Sequence, residues 1–330
     1  MKRILIIHAL LLGYVASAHA AEYYYVPLIR QEADGTWDLY WMKLNESGKR
    51  VKGPRLIRNS AGIVGSATIT PEGNKVYFSE SPAPLVAQQL YSLEVNPKNG
   101  KVASAPVALT GGSYVYLHGV SLSKDGKKLV YARWDYDYTP AAIDDILLQR
   151  FKKNGSLSTV TKAIATVPGV NEWLPFITED GRSVYYCLED GGKNSIMLQR
   201  VKRLGAPAGP PIPVIQIPGE DVRQPMVEAG GTWMSYIRYA AWDDNNLYVT
   251  RLSGNGLPTG APIKITSLGA DQWPAGGLTR NSKLLVYSVL SPAPTCPVYS
   301  QKLDANGHPA GAPKLLNSSS CTQYPWVLPD

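Results

Sequence analysis

Residues 178–186 read Thr-Glu-Asp-Gly-Arg-Ser-Val-Tyr-Tyr. An Asp-Gly pair favours a tight turn because glycine adopts positive φ without strain, and the Val-Tyr run that follows favours a β-strand. The same turn-and-strand pattern occurs at Pro71–Phe78, Lys124–Tyr131, Ala229–Tyr236 and Arg280–Tyr287. Its tyrosines, spaced 54, 54, 51 and 51 residues apart, are Tyr77, Tyr131, Tyr185, Tyr236 and Tyr287. The chain therefore repeats with a period near fifty residues.

A second strand pattern accompanies each turn: an apolar pair, a basic residue, an apolar residue and a glycine turn. Its copies are Leu39–Gly48, Leu90–Val95, Ile146–Phe151, Ile196–Gly205, Leu247–Gly256 and Val298–Gly307. Each copy leads through a Gly/Pro-rich turn into another short apolar run, such as Pro262–Thr266. Four short strands per unit at this period are typical of β-propeller blades. The sequence predicts an all-β, six-bladed β-propeller with four-stranded antiparallel blades.

The two ends of the chain complete one unit. Trp326–Asp330 aligns with the first strand and half of the turn of a sixth unit, and its second strand is missing from that end. Residues from Ala21 onward supply it, because Tyr25 falls in register with Tyr185 if Ala21 follows Asp330. We therefore expect the N-terminal strand to pair with the C-terminal blade, which removes exposed sheet edges.

The repeat resembles the WD40-like (PD40) repeats of TolB-type six-bladed propellers. The residues that carry the resemblance are Thr70–Gly73, Ser123–Gly126 and Thr178–Gly181, whereas the later copies near Ala229 and Asn281 lack the Asp. The resemblance implies a propeller in the periplasm that binds protein or ligand. In TolB an α/β domain precedes the propeller, and here the first repeat begins directly after the predicted signal.

The N-terminus has the features of a secretory signal. Lys2 and Arg3 precede the apolar run Ile4–Val15, and Ala18-His19-Ala20 has the small-x-small form of a cleavage site. The apolar run is too short to span a bilayer, which needs roughly 20 residues. We expect residues 1–20 to be a signal peptide, residues 21–330 to be one propeller domain, and the protein to be periplasmic or secreted after cleavage near Ala20.

Charge indicates no nucleic-acid partner. Without Lys2 and Arg3 the 33 basic and 26 acidic side chains become 31 and 26, so the net charge is +5 instead of +7. The basic residues are scattered singly along the chain, whereas nucleic-acid binding clusters them on one face. We predict a monomer with no membrane span.

Three cysteines remain in the exported chain, an odd number. Cys321 lies on the loop that leads into the first strand of the last blade, and Cys296 ends the loop between the second and third strands of the neighbouring blade. Both kinds of loop open on the same face of a propeller. The sequence predicts a Cys296–Cys321 disulfide, with Cys187 buried and reduced in a strand.

Candidate ligand-binding residues lie where the innermost strands begin, at the mouth of the central channel. Aligned by their distance to the next turn, they are His118, Trp173, Arg223, Trp273 and Tyr324. The alternative is that the tryptophans pack between blades. On the same face, loops between second and third strands carry Trp134, Asp135, Asp137, Trp242 and Asp243. Aromatic and acidic side chains of this kind bind a glycan, a peptide or a protein, or they form solvated turns.

No catalytic motif is evident. Only His118 and His308 follow the signal, and there is no Gly-x-Ser-x-Gly nucleophile elbow. A calcium site near Asp135 and Asp145 stays an open alternative. We predict no cofactor and a binding or scaffold protein; the alternative is a carbohydrate lyase or hydrolase that uses the same face, with Arg223 neutralising a substrate carboxylate.

Overall fold

The computed structural model describes residues 23–32, 34–82, 88–110, 116–134, 144–167, 169–239, 245–268, 273–278, 284–290 and 297–317. These residues form 23 β-strands and no helix. The strands fall into six consecutive units. Unit 1 contains β1 (Tyr23–Gln31), β2 (Trp37–Asn45) and β3 (Arg50–Arg58); unit 2 contains β4 (Ile63–Ile69), β5 (Lys75–Ser81), β6 (Gln89–Glu94) and β7 (Val107–Ala108).

Units 3 to 6 each contain four strands in the same order as unit 2. Unit 3 contains β8 (Tyr116–Leu122), β9 (Lys128–Trp134), β10 (Asp144–Phe151) and β11 (Leu157–Ala165); unit 4 contains β12 (Asn171–Ile177), β13 (Ser183–Asp190), β14 (Lys193–Arg200) and β15 (Ile212–Ile215). Unit 5 contains β16 (Asp221–Val227), β17 (Trp233–Tyr239), β18 (Asn245–Leu252) and β19 (Pro258–Lys264); unit 6 contains β20 (Trp273–Leu278), β21 (Leu284–Leu290), β22 (Val298–Lys302) and β23 (Lys314–Asn317).

Each of units 2 to 6 is a four-stranded antiparallel meander, as the sequence predicts. A single parallel bridge between Trp37 and Ile63 joins units 1 and 2 into one seven-stranded sheet. The first strands of successive units contact one another, so they are the innermost strands of the array. The architecture is a β-propeller.

The repeated tyrosines form part of the packing between units. Tyr77, Tyr131, Tyr185, Tyr236 and Tyr287 are all buried, each no more than 5% exposed. Burial raises the pKa of Tyr77, Tyr185 and Tyr287 to about 12. The Tyr185 hydroxyl donates a hydrogen bond of 2.9 Å to the carbonyl of Gly256 in the next unit. The period seen in the sequence is therefore the period of the interface.

Six hydrophobic clusters lie between the units, and each draws its buried side chains from two units. One of them combines Tyr24 and Met42 of unit 1 with Leu284 and Val298 of unit 6. Arg50 of unit 1 also donates a hydrogen bond of 2.8 Å to the carbonyl of Leu316 in unit 6. The first and last units of the chain are therefore in direct contact.

In most units, a glycine in the turn between the third and fourth strands packs on another unit. In unit 1 this turn joins β2 to β3, because β1, β2 and β3 correspond to the second, third and fourth strands of the other units. A side chain at Gly48 would place its Cβ 2.6 Å from Leu284 Cδ1 and 2.8 Å from Ser300 Oγ in unit 6. The corresponding contacts are Gly100 with Trp41, Gly205 with Leu148, Gly256 with Tyr185 and Gly307 with Trp233. Gly155 of unit 3 differs, because a Cβ there would meet nothing within 4 Å. Unit 1 thus contacts unit 6 in the same way as most units contact their predecessors.

The turn after the first strand is held by side-chain oxygens. In unit 4 the Thr178 hydroxyl accepts a hydrogen bond from the Ser183 N–H, and the Asp180 carboxylate accepts one from the Arg182 N–H. Unit 5 lacks both residues. There the Glu228 carboxylate accepts hydrogen bonds from Gly230, Thr232 and Trp233 N–H groups. One carboxylate thus replaces a hydroxyl and a carboxylate, which explains how this copy keeps its turn without the Asp.

The strand directions define two faces of the propeller. We call the side at which the innermost strands begin the mouth face, and the side of the turns after them the turn face. The loops between second and third strands also lie on the mouth face, and the turns between third and fourth strands lie on the turn face. β1 pairs with β2 over its whole length, as a second strand pairs with a third. Its predicted partner, Trp326–Asp330, lies outside the described residues.

Candidate functional site

An arginine stacked on two aromatic rings occupies the mouth face between units 4 and 5. The guanidinium carbon of Arg223, on β16, lies 4.9 Å from the ring centre of Trp173 and 5.2 Å from that of Tyr239. Trp173 comes from β12 of the preceding unit, and Tyr239 ends β17. The sequence predicted that Trp173 and Arg223 meet at one mouth, and the structure brings these two together.

Asp221 holds the guanidinium in place. Nε of Arg223 donates a hydrogen bond of 2.7 Å to Oδ2 of Asp221, and Nη2 lies 2.5 Å from the same oxygen. The other oxygen, Oδ1, accepts a hydrogen bond of 3.1 Å from the Asn194 N–H. Asn194 in turn accepts a hydrogen bond of 2.5 Å from the Trp173 indole N–H. The network fixes both the arginine and the indole relative to β14.

The charge of Arg223 is stabilised by this network. Burial disfavours the guanidinium ion, but the hydrogen bond and charge of Asp221 outweigh it and raise the pKa of Arg223 above its usual range. The Arg223 side chain is 36% exposed and that of Asp221 is 13% exposed. Arg223 is therefore a fixed cation whose outer N–H groups face solvent and are positioned to bind an acceptor.

The backbone next to the stack adopts an uncommon conformation. Leu174 and Gln224 have φ values of 49° and 58°, in the left-handed region that non-glycine residues rarely occupy. Leu174 lies at an irregularity in the pairing of β12 with β13, and Gln224 at one in the pairing of β16 with β17. Gly119, with φ of 63°, occupies the same position where β8 pairs with β9. Such strain is concentrated at functional sites. The bulges that follow Trp173 and Arg223 interrupt the pairing, while Trp173 itself stays paired with Cys187 and Arg223 with Ile237 on the mouth side.

Two buried amide groups beside the stack have unused hydrogen-bonding capacity. Gln224 is 4% exposed and Asn194 is 3% exposed. Among the described residues, Oε1 of Gln224 and Nδ2 of Asn194 have no hydrogen-bond partner. Most buried polar groups in proteins are paired, so these two atoms are exceptions within the site.

Cys187 of β13 lies beneath the stack as a free, fully buried thiol, as predicted. Burial raises the pKa of this thiol to about 12, although hydrogen bonding to the Gln224 backbone and the charge of Arg223 oppose the shift. Full burial and the raised pKa both disfavour the thiolate of Cys187 near neutral pH.

The turn face carries a second group of charged residues that the sequence did not indicate. Glu179 lies 3.2 Å from Lys124 Nζ and lines a small cleft with Ile69 and Phe176. Burial, followed by the charges of Glu228 and Asp180, raises the pKa of Glu179 to about 7 despite the nearby ammonium. The four charged residues, Lys124, Glu179, Asp180 and Glu228, lie at turns that follow innermost strands. Only the fold brings these turns together.

The remaining predicted site residues lie wholly or partly outside the described part of the chain. His118 falls on β8, Trp134 ends β9 and Trp273 begins β20, but their side chains are not described. The others are wholly outside it: Asp135, Asp137, Trp242, Asp243, Cys296, Cys321 and Tyr324. Their roles, and the Cys296–Cys321 disulfide, stay predictions. Tyr239, Asp221 and Asn194 were missed, although Asp221 could have been found because residues two apart share one face of a strand.

Within the described ranges, no group of three or more His, Cys, Asp or Glu side chains is placed to hold a metal ion. The same part of the chain has no helix long and apolar enough to cross a membrane.

Neither a family model nor a curated protein matches this chain. Solved structures do. TolB from Acinetobacter baumannii aligns with a TM-score of 0.67 at 13% identity, over 93% of this chain and 67% of that one. A structure of the nidogen/laminin complex aligns with a TM-score of 0.61 at 12% identity, over 93% and 97% of the two chains.

An enzyme is also among the similar structures. The periplasmic gluconolactonase of Pseudomonas aeruginosa aligns with a TM-score of 0.54 at 16% identity, over 90% of this chain and 83% of that one. Identities this low establish the β-propeller fold alone, because one propeller scaffold supports both binding and catalysis.

Proposed function

We propose that this chain is an exported, monomeric, six-bladed β-propeller that binds a protein, peptide or glycan through its mouth face. The observation that carries the proposal is the Arg223 guanidinium, held by Asp221 over the Trp173 and Tyr239 rings and 36% exposed. A rigid cation among aromatic rings suits a ligand with hydrogen-bond acceptors beside a flat or apolar surface.

The amides of Gln224 and Asn194 add to this case. Both are buried next to the stack, and Asn194 accepts the hydrogen bond of the Trp173 indole, which fixes that ring in place. Asp221 is occupied by Arg223, so its role is to position the arginine. The arrangement favours binding over the hydrolase or lyase that the sequence left as an alternative.

The contact between the first and last units supports a closed ring of six blades. The cluster of Tyr24, Met42, Leu284 and Val298 packs unit 1 on unit 6, and the turn at Gly48 meets unit 6 as other glycine turns meet the unit before them. We propose that the strand Trp326–Leu328 completes this blade beside β1. The export signal, the disulfide between Cys296 and Cys321 and the TolB-like repeats are part of the same proposal.

A thermal-shift screen of cell-wall fragments, oligosaccharides and peptides tests the binding site. We expect one class of ligand to raise the melting temperature of the parent, and Arg223→Ala and Trp173→Ala to abolish that rise. Arg58→Ala is the matched control, because Arg58 binds Glu80 at 3.0 Å on the mouth face and is 34% exposed.

The control decides the interpretation. If Arg58→Ala keeps the ligand effect and the other two variants lose it, the stack is the binding site. If Arg223→Ala and Trp173→Ala respond to the ligand as the parent does, binding takes place elsewhere and the proposal is wrong.

A further inference from the structure

Basic side chains gather on the turn face, although they are dispersed along the sequence. Its exposed basic residues are Lys49, Arg50, Lys52, Lys98, Lys101, Lys124, Lys127, Lys152, Lys153, Arg182, Lys202, Arg203, Arg251, Lys302 and Lys314. They lie at the ends of third strands, in the turns that follow and in the turns after the innermost strands. The repeat itself causes this grouping, since residues about fifty apart occupy equivalent positions in successive units.

Acidic residues on this face neutralise few of these charges. The exposed ones are Glu46, Glu72, Glu94, Asp125, Asp180 and Asp304. Asp125, Asp180 and Asp304 accept hydrogen bonds from N–H groups of their own turns. Two ion pairs between described residues of this face are Lys124–Glu179 and Lys127–Asp125. The described part of the turn face therefore carries an excess of positive charge, with cations in every unit.

Exposed apolar side chains are interspersed with these cations. Val51 is 41% exposed between Arg50 and Lys52, and Leu204 is 61% exposed after Arg203. Val102 and Leu315 are 47% and 56% exposed, and each directly follows a lysine. Cations with scattered aliphatic side chains are typical of surfaces that contact anionic lipid headgroups and the boundary of the acyl chains.

We propose that the turn face binds the anionic surface of a lipid bilayer, as a peripheral contact that leaves the mouth face free. A disc with cations around its circumference presents them all to a plane, whereas a linear polyanion reaches only some of them. None of the described aromatic side chains on this face is exposed, and base stacking on aromatic rings is the usual means of binding single-stranded nucleic acid. The proposal goes beyond the ligand site, which uses the opposite face.

Vesicle flotation tests the proposal with the chain as the cell produces it, its N-terminus determined by mass spectrometry. We expect the protein to float with vesicles of equimolar phosphatidylcholine and phosphatidylglycerol, and not with phosphatidylcholine alone. Binding is expected to weaken as salt is raised, because exposed charges are screened. The double variant Lys153→Glu/Lys202→Glu should lower the partition coefficient on the order of tenfold or more.

The matched control, Lys193→Glu/Lys264→Glu, changes the net charge equally on the mouth face. It should float like the parent, and thermal unfolding confirms that both variants are folded. Equal loss in both variants would show that net charge alone governs binding and would overturn the proposal. Equal binding to both kinds of vesicle, or binding to neither, would also overturn the proposal. So would a salt-sensitive affinity for DNA, if Lys153→Glu/Lys202→Glu abolished DNA binding and left vesicle binding unchanged.

Discussion

The two faces of the propeller organise charge in opposite ways. On the mouth face, arginines are joined to carboxylates in ion pairs, which are Arg30–Glu32, Arg58–Glu80, Arg223–Asp221 and Arg238–Glu220. On the turn face, lysines predominate and most exposed ones have no ion pair among the described residues. Planar guanidinium groups suit fixed, specific contacts, whereas flexible ammonium groups suit a diffuse attraction.

One repeated unit can therefore present different kinds of charged residue at its two ends. At the turn face, glycines and short polar side chains maintain the turns and leave the other turn positions in solvent. At the mouth face, Trp173 and Arg223 lie before bulges at Leu174 and Gln224, and side chains of neighbouring units meet there. We therefore propose ligand recognition at the mouth face and electrostatic docking at the turn face.

The largest effect is expected at Glu228, whose carboxylate replaces two side chains of the other turns. Glu228→Ala leaves several N–H groups without an acceptor and should lower the free energy of unfolding by about 2–4 kcal/mol. Glu72→Ala, at an exposed position of the corresponding turn in unit 2, should change it by no more than about 0.5 kcal/mol. Urea denaturation measures both, and equal losses would contradict the role of Glu228.

The contact between the first and last units is tested at a glycine. Gly48→Ala imposes a left-handed alanine, at φ of 73°, and forces its Cβ against the buried Leu284, so we expect a loss of about 2–4 kcal/mol. Gly155→Ala has a similar φ of 79° but meets nothing within 4 Å, so it should cost only about 1 kcal/mol. If both variants melt alike, the Gly48 contact does not stabilise the ring.

A smaller effect concerns the pH dependence caused by Glu179. Its folded pKa of about 7 lies above the ordinary 4.5, so the folded chain keeps a proton that the unfolded chain has lost. This group therefore lowers stability as pH rises from about 4.5 to about 7. Relative to the parent, Glu179→Gln should gain on the order of 1 kcal/mol between pH 5 and pH 8.

Denaturation at a series of pH values measures this gain. The control Glu72→Gln removes an exposed carboxylate from a similar turn and should follow the parent. A gain that appears as the pH falls would have the wrong sign and would contradict the raised pKa of Glu179.

The smallest effect is expected at the strained backbone of the mouth face. Leu174→Ala removes the side chain and keeps a left-handed residue at φ of 49°, whereas Leu174→Gly removes the same side chain and relieves the strain. The glycine variant should be more stable than the alanine variant by about 1 kcal/mol, the reverse of the usual order within strands. Thermal unfolding of the two variants decides it.

Much of the fold could be predicted from local patterns. The turn at Thr178–Gly181, the tyrosine spacing and the apolar pairs identified the strands correctly, because tight turns and buried strands impose strong local requirements. The sequence alone did not reveal that Glu228 takes over the role of the missing Asp in its turn. Glu228 aligns with Ser123 and Thr178 of other copies. Trp173 and Arg223 are in contact because they hold the same position in consecutive units.

What the sequence by itself determined is the repeated unit, since turn chemistry and strand alternation act over a few residues and recur every fifty or so. Only the tertiary structure decided which side chains meet: Tyr239 with Arg223, Glu179 with Glu228, and lysines of separate units with one another. Basic residues that are single along the chain become a cluster because the propeller places equivalent turns of successive units on one face. Contact across units depends on packing geometry, which no short stretch of sequence contains.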